Sequence, residues 1–146
     1  MKKLKFISRH EPTNEVKSLI EKTVVAERLQ PFYSSSIEEQ HGHEYVRAEA
    51  EFQLEQDSNP FSDGLEILER VVGDYPEKGD TITLAGVFPA EILGEMVSHA
   101  LKLEINLAII TFKYERDRET NTVSELKKAL VWQVCHGFFE IREVLK

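Results

Sequence analysis

The sequence predicts an α/β protein in which a mostly parallel sheet carries helices on both faces. Short apolar runs typical of buried strands alternate along the chain with segments whose apolar residues recur at helical spacing. Two of these strands, at residues 4–8 and 81–87, lead through a brief turn into the start of a helix. Such alternation is typical of parallel strands joined by right-handed crossovers, with ligands bound at the carboxyl ends of the strands.

The first strand is predicted at residues 4–8, and Thr13 is the expected N-cap of the helix that follows. Apolar side chains recur in this helix at positions i, i+3, i+4 and i+7, beginning at Val16. The middle of the chain, residues 27–60, is interpreted as an insertion containing a β-hairpin. Val46–Leu54 alternates apolar and polar residues as a half-exposed strand does, although its alanine and glutamate content favours a helix. Its predicted partner is Phe32–Glu38, across a turn at Gln40–His43.

The second half gives clearer signals. Ser62 or Asp63 is expected to cap a helix that ends near Gly73. Thr81–Val87 is apolar enough for a strand buried on both faces, and Pro89 suits the first turn of the next helix. A strand at Ile105–Tyr114 follows. The last segment is predicted to be a helix whose apolar face consists of Val123, Leu126, Leu130, Val134 and Phe138.

The bulk composition indicates one globular domain covering residues 1–146. The chain is 41% hydrophobic and 30% charged, which is ordinary for such a domain. No apolar run approaches the roughly 20 residues that a membrane span needs, and no apolar core follows Met1-Lys2-Lys3. A single cysteine, Cys135, excludes an internal disulfide and is interpreted as a packing residue. We therefore expect a cytoplasmic protein that does not associate with membranes.

The net charge of −8 argues against a general DNA or RNA binder, which would present a basic face. It still permits a small anionic ligand, because a few N–H groups and one or two cations at short range are enough to hold one.

The turn after the first strand carries Ser8, Arg9 and His10 just before a helix N-terminus. Unpaired N–H groups and the helix dipole favour an anion there. Ser8 has a hydroxyl donor, Arg9 can bind phosphate oxygens in a fork, and His10 can transfer a proton near neutral pH. In the alternative interpretation, Arg9 pairs with a surface carboxylate and His10 with a backbone carbonyl.

The second turn is Gly86-Val87-Phe88-Pro89. Glycine allows the close approach of a ligand or a backbone, and Phe88 is suited either to stacking on a base or to packing in the core. Neither the dinucleotide-binding glycine motif nor the phosphate-binding loop of nucleoside triphosphatases is present, so no cofactor is predicted. His41-Gly42-His43 is a weak ligand set that a polar turn explains better, and no metal is predicted.

The final segment also carries Trp132, Phe138 and Phe139, which is more apolar surface than one helix face requires. This excess indicates either a homodimer interface or a larger core within one chain.

Taken together, Phe6–Thr13, Gly79-Asp80 and Gly86–Pro89 resemble a group of small CRISPR-ancillary proteins with a Rossmann-like domain. The resemblance implies binding of cyclic oligoadenylate messengers and, as in several relatives, the ring nuclease activity that ends the antiviral signal. On this basis Arg9 and His10 are the candidate catalytic residues. The candidate ligand-binding residues are Ser8, Thr13, Gly86, Phe88 and Pro89. This chain differs from the group pattern in residues 27–60 and in one or two extra residues between Asp80 and Gly86.

Three functions remain open from the sequence. The first is metal-independent cleavage of a cyclic oligoadenylate, in which a ribose 2′-OH attacks the neighbouring phosphorus. The second is binding of the same messenger without cleavage, as a sponge or sensor. The third is binding of a protein partner, with the turns playing no chemical role.

Overall fold

The computed structural model describes residues 4–8, 11–29, 63–116, 118–120 and 125–146, together with the backbone of 45–47 and 123–124. Three helices lie within these residues: α1 (Asn14–Ala26), α2 (Gly64–Val72) and α3 (Ala90–Leu103). The strands are β1 (Leu4–Ile7), β2 (Tyr45–Arg47), β3 (Thr81–Gly86), β4 (Asn106–Arg116), β5 (Val123–Cys135) and β6 (Phe138–Leu145).

The strands form one six-stranded sheet in the order β2-β1-β3-β4-β5-β6. The first four run parallel, whereas β5 and β6 extend the sheet as an antiparallel meander. The predicted α/β class with a mostly parallel sheet is confirmed. The chain leaves β1 toward β2 on one side and later returns to place β3 on the other side, so the strand order reverses between β1 and β3.

Helices cover both faces of the sheet, as predicted. α2 and α3 pack on one face, in a core cluster that includes Ile67, Ile82 and Met96. α1 packs on the other face against Phe6 and Val131. β3 contributes to both clusters and is buried almost throughout, which agrees with its continuous apolar sequence.

The predicted helix starts agree with the structure to within a residue. The Thr13 hydroxyl accepts a hydrogen bond from the Val16 N–H at 3.2 Å, and the Asp63 carboxylate accepts one from the Leu65 N–H at 2.9 Å. Pro89 is the N-cap of α3 rather than a residue of its first turn. α2 ends at Gly73 in the left-handed conformation, where glycine is favoured.

The predicted final helix is wrong, since this segment forms the β5–β6 hairpin. His136 and Gly137 connect the strands with φ angles of 49° and 79°, the signs that a two-residue type I′ turn requires. The register between β4 and β5 shifts beside Tyr114, and this irregularity leaves Leu126 in the same core cluster as Ala129 and Val131. Leu130, Val134 and Phe138 are spaced four residues apart, which suits one face of a strand as well as the helix face that we expected.

The middle of the chain is described only in part. The backbone of Tyr45–Arg47 forms β2, parallel to β1, at one edge of the sheet. These residues overlap the start of the predicted strand Val46–Leu54. The rest of that strand, its predicted partner Phe32–Glu38 and the turn at Gln40–His43 lie outside the described residues.

Candidate functional site

The candidate site lies at the carboxyl ends of β1 and β3, where the strand order reverses. The two strands end in register, with Ile7 opposite Gly86. The Val87 N–H continues the ladder by donating a hydrogen bond to the Ile7 carbonyl at 3.2 Å. In open α/β sheets, this reversal point is where a crevice forms and ligands bind.

Gly86 is required by the close approach of these two strands. A Cβ atom at this position would lie 2.2 Å from the Ile7 carbonyl oxygen and 3.1 Å from the Phe88 ring. The first contact is with backbone, so a side-chain rotation cannot relieve it. Glycine at the end of β3 therefore keeps the two strand ends paired at the candidate site.

Helices α1 and α3 follow these strands, so the N–H groups of their first turns lie at the same end of the sheet, beside the carboxyl ends of β1 and β3. Thr13 caps α1, whereas no side chain in the described part of the chain caps α3. Ala90 and Glu91, at the start of α3, are exposed. Uncapped N–H groups at a helix N-terminus suit an anion, although Glu91 contributes a negative charge beside them.

The described residues include only part of the predicted site. Ser8 is half-buried directly after β1, and Thr13 and Pro89 are exposed. Arg9 and His10 lie outside the described residues, so the roles given to them stay predictions.

Phe88 belongs to the core. Its ring is 9% exposed and is part of the cluster beneath α2 and α3, together with Ile7 and Ile92. Of the two roles that the sequence leaves open for this residue, core packing is the one that matches its burial.

The exposed apolar side chain of this turn is Val87, which sequence reasoning missed. Val87 is 60% exposed between two buried neighbours, Gly86 and Phe88. The extended alternation of side chains could have identified it, because adjacent residues in a strand point in opposite directions. Val87 can supply apolar contact to a ligand at the rim.

A separate hollow lies at the amino ends of β3 and β4. It encloses about 210 Å³, and its lining includes Arg28, Thr83, Asn106 and Gln133. Cys135, half-buried at the end of β5, also lines it. Because β3 and β4 are parallel, this hollow is at the end of the sheet opposite the candidate site.

Within the described residues, no group of three His, Cys, Asp or Glu side chains comes together as a metal site would require. His41 and His43 are not among these residues. His99 lies 3.9 Å from the Asp63 carboxylate, and His136 occupies the β5–β6 turn. Among the described helices, none is both long and apolar enough to cross a membrane.

Comparison of the chain with protein-family models, with curated proteins and with solved structures finds no match.

Proposed function

We propose that the protein is a ring nuclease-like phosphodiesterase that binds and linearises cyclic oligoadenylate messengers in the cytoplasm, damping CRISPR antiviral signalling. The observation that carries the proposal is the pairing of the carboxyl ends of β1 and β3 at the reversal point, in register at Ile7 and Gly86. This pairing brings together two of the three segments on which the sequence resemblance depends, those that follow β1 and β3. Both segments lead into helix N-termini, which favour phosphate groups.

The reaction needs little from the protein beyond positioning and charge stabilisation. The ribose 2′-oxygen attacks the adjacent phosphorus, the bond from phosphorus to the 5′-oxygen breaks, and the 2′-OH proton is removed as the leaving oxygen is protonated. The products are linear oligoadenylates with a 2′,3′-cyclic phosphate and a 5′-hydroxyl. Holding the attacking oxygen in line and stabilising the non-bridging oxygens are the contributions expected of the site.

Arg9 and His10 are assigned the two chemical roles because they directly follow Ser8 at the end of β1. Arg9 neutralises charge on the phosphate together with the N–H groups at the start of α3. His10 transfers a proton, a contribution worth about 10²–10⁴-fold in rate. The exposed Val87 side chain replaces the Phe88 ring as the apolar contact for an adenine base.

The proposal includes a homodimer. Phe139 and Ile141 share one face of β6 and are 43% and 48% exposed, and apolar surface of this kind indicates a protein contact.

We expect the purified protein to cleave cyclic tetra-adenylate or cyclic hexa-adenylate in the presence of EDTA. His10→Ala should lower the single-turnover rate about 10²–10⁴-fold. Arg9→Ala should lower it about 100-fold, because it removes charge stabilisation of the phosphate. Both rates are measured by chromatography of labelled rings.

The matched control is Arg28→Ala, which removes an arginine from the opposite edge of the sheet and should leave the rate unchanged. Ring binding without cleavage by the wild-type chain would support the sponge or sensor instead. A chain that neither binds nor cleaves either ring would overturn the proposal in favour of a partner-binding protein.

A further inference from the structure

β6 forms an edge of the sheet with apolar side chains beside its free backbone. It is last in the strand order, so its outer side has no neighbouring strand among the described residues. Phe138, Phe139 and Ile141 are 78%, 43% and 48% exposed. An edge with unpaired N–H and C=O groups is a template for another strand.

The backbone direction determines which residues of β6 face outward. Cys135 pairs with Phe138 across the turn, and the Lys146 N–H donates to the Lys127 carbonyl at 3.0 Å at the other end of the ladder. Because backbone groups alternate sides along an antiparallel strand, the even-numbered residues of β6 bond to β5. Phe139, Ile141 and Glu143 therefore direct their N–H and C=O groups away from the sheet.

We infer that two copies of the chain associate through antiparallel pairing of β6 with β6, about a two-fold axis at Ile141. Outward-facing residues must pair with outward-facing residues, so the axis passes through a residue rather than between two residues. An axis at Glu140 places two glutamates opposite each other, and an axis at Arg142 places two arginines opposite each other. An axis at Ile141 instead places Glu140 of each copy opposite Arg142 of the other.

This register also gives a long and apolar contact. Residues 138–144 overlap, and about six backbone hydrogen bonds join the strands. Ile141 meets its own counterpart at the axis, beside Trp132, which is its register partner on β5. The Trp132 ring stacks on Phe139 with centroids 6.3 Å apart, so an aromatic cluster flanks the axis in each copy.

Arg142 forms ion pairs with two carboxylates of its own chain. Its guanidinium lies 2.6 Å from the Glu140 carboxylate and 3.0 Å from that of Glu27, at the end of α1. Hydrogen bonds to Glu140 and then to Glu27 raise the pKa of Arg142. Because arginine is protonated at neutral pH in any environment, the charge pattern is present there.

The test reverses the charge of Glu140 or of Arg142 in β6. We expect the wild-type chain to be a dimer by light scattering after gel filtration. Glu140→Arg places arginines opposite each other, and Arg142→Glu does the same with glutamates. Either change should raise the dimer dissociation constant about tenfold or more, since opposed charges destabilise cross-strand pairs.

An equimolar mixture of the two variants should regain dimers, because arginines of one variant then lie opposite glutamates of the other at positions 140 and 142. Native mass spectrometry of the mixture identifies the heterodimer by its mass. Glu27→Gln is the control, since it removes one of the two intrachain ion pairs of Arg142 and leaves the charges at positions 140 and 142 in place. It should dimerise as the wild type does.

Three results would overturn the inference: a monomeric wild type, single variants that dimerise as strongly as the wild type, or a mixture that stays monomeric. All three concern association alone, so they are independent of whether the chain binds a cyclic oligoadenylate.

Discussion

Gly86→Ala is expected to lower the free energy of unfolding by about 3 kcal/mol, because overpacking against a rigid neighbour forces the backbone to move. The added Cβ atom would lie 2.2 Å from the Ile7 carbonyl oxygen, which accepts the hydrogen bond from Val87. The end of β1 must therefore separate from the end of β3. Urea unfolding followed by circular dichroism measures the change.

The same substitution should weaken binding at the proposed site, since that site is formed by these two paired strand ends. Gly94→Ala is the matched control, because a Cβ atom there meets nothing within 4 Å. Gly94 is exposed within α3, and alanine should raise the free energy of unfolding by about 1 kcal/mol. A Gly86→Ala protein as stable as the wild type would contradict the close approach of β1 and β3.

Gly64→Ala is expected to lower the free energy of unfolding by about 2 kcal/mol, by forcing α2 away from α3. A Cβ atom at Gly64 would lie 2.7 Å from both the Glu95 Cβ atom and the Met96 backbone nitrogen. The Gly64 N–H also donates to the Glu95 carboxylate at 2.7 Å. Gly64 therefore sets the spacing between α2 and α3, and Glu95 binds an N–H group at the start of α2. Thermal unfolding measures the effect.

Glu95→Ala separates these two contributions. It removes the carboxylate that accepts from Gly64 but adds no atom between the helices, so its cost should be about 1 kcal/mol. If Gly64→Ala lowers the free energy of unfolding no more than Glu95→Ala does, α2 and α3 tolerate a methyl group between them. That result would contradict the expected outcome.

Local sequence patterns were sufficient to predict the strand and the helix of the unit formed by β3 and α3. β3 and α3 were predicted because β3 is continuously apolar and α3 has a regular stripe beginning at Ile92. Thr13 and Asp63 were predicted as caps because short polar side chains accept hydrogen bonds from first-turn N–H groups. The class of the fold follows from the alternation of these elements.

The C-terminal hairpin could not be recognised from apolar spacing alone. The predicted helix face recurs mainly every four residues, a spacing that also keeps residues on one face of a regular strand. His136-Gly137 is in addition a less familiar turn pair than Asn-Gly. The adjacency of β1 and β3 was also beyond local patterns, since strand order depends on contacts between distant segments. At the candidate site, the sequence left Phe88 open to base stacking or core packing, and the structure buries it beside the exposed Val87.

The position of β1 in the sheet has a consequence for the order in which the chain folds. Both of its neighbours, β2 and β3, come later in the chain, whereas β4, β5 and β6 pair with strands adjacent to them in sequence. Local pairings form early and distant ones late, because the entropy of closing a long loop opposes the latter. We therefore expect the C-terminal meander to be the nucleus of folding and β1 to be inserted at the end. Exchange of amide hydrogens should then be fastest at β1, and a ligand that bridges its end to β3 would slow it most.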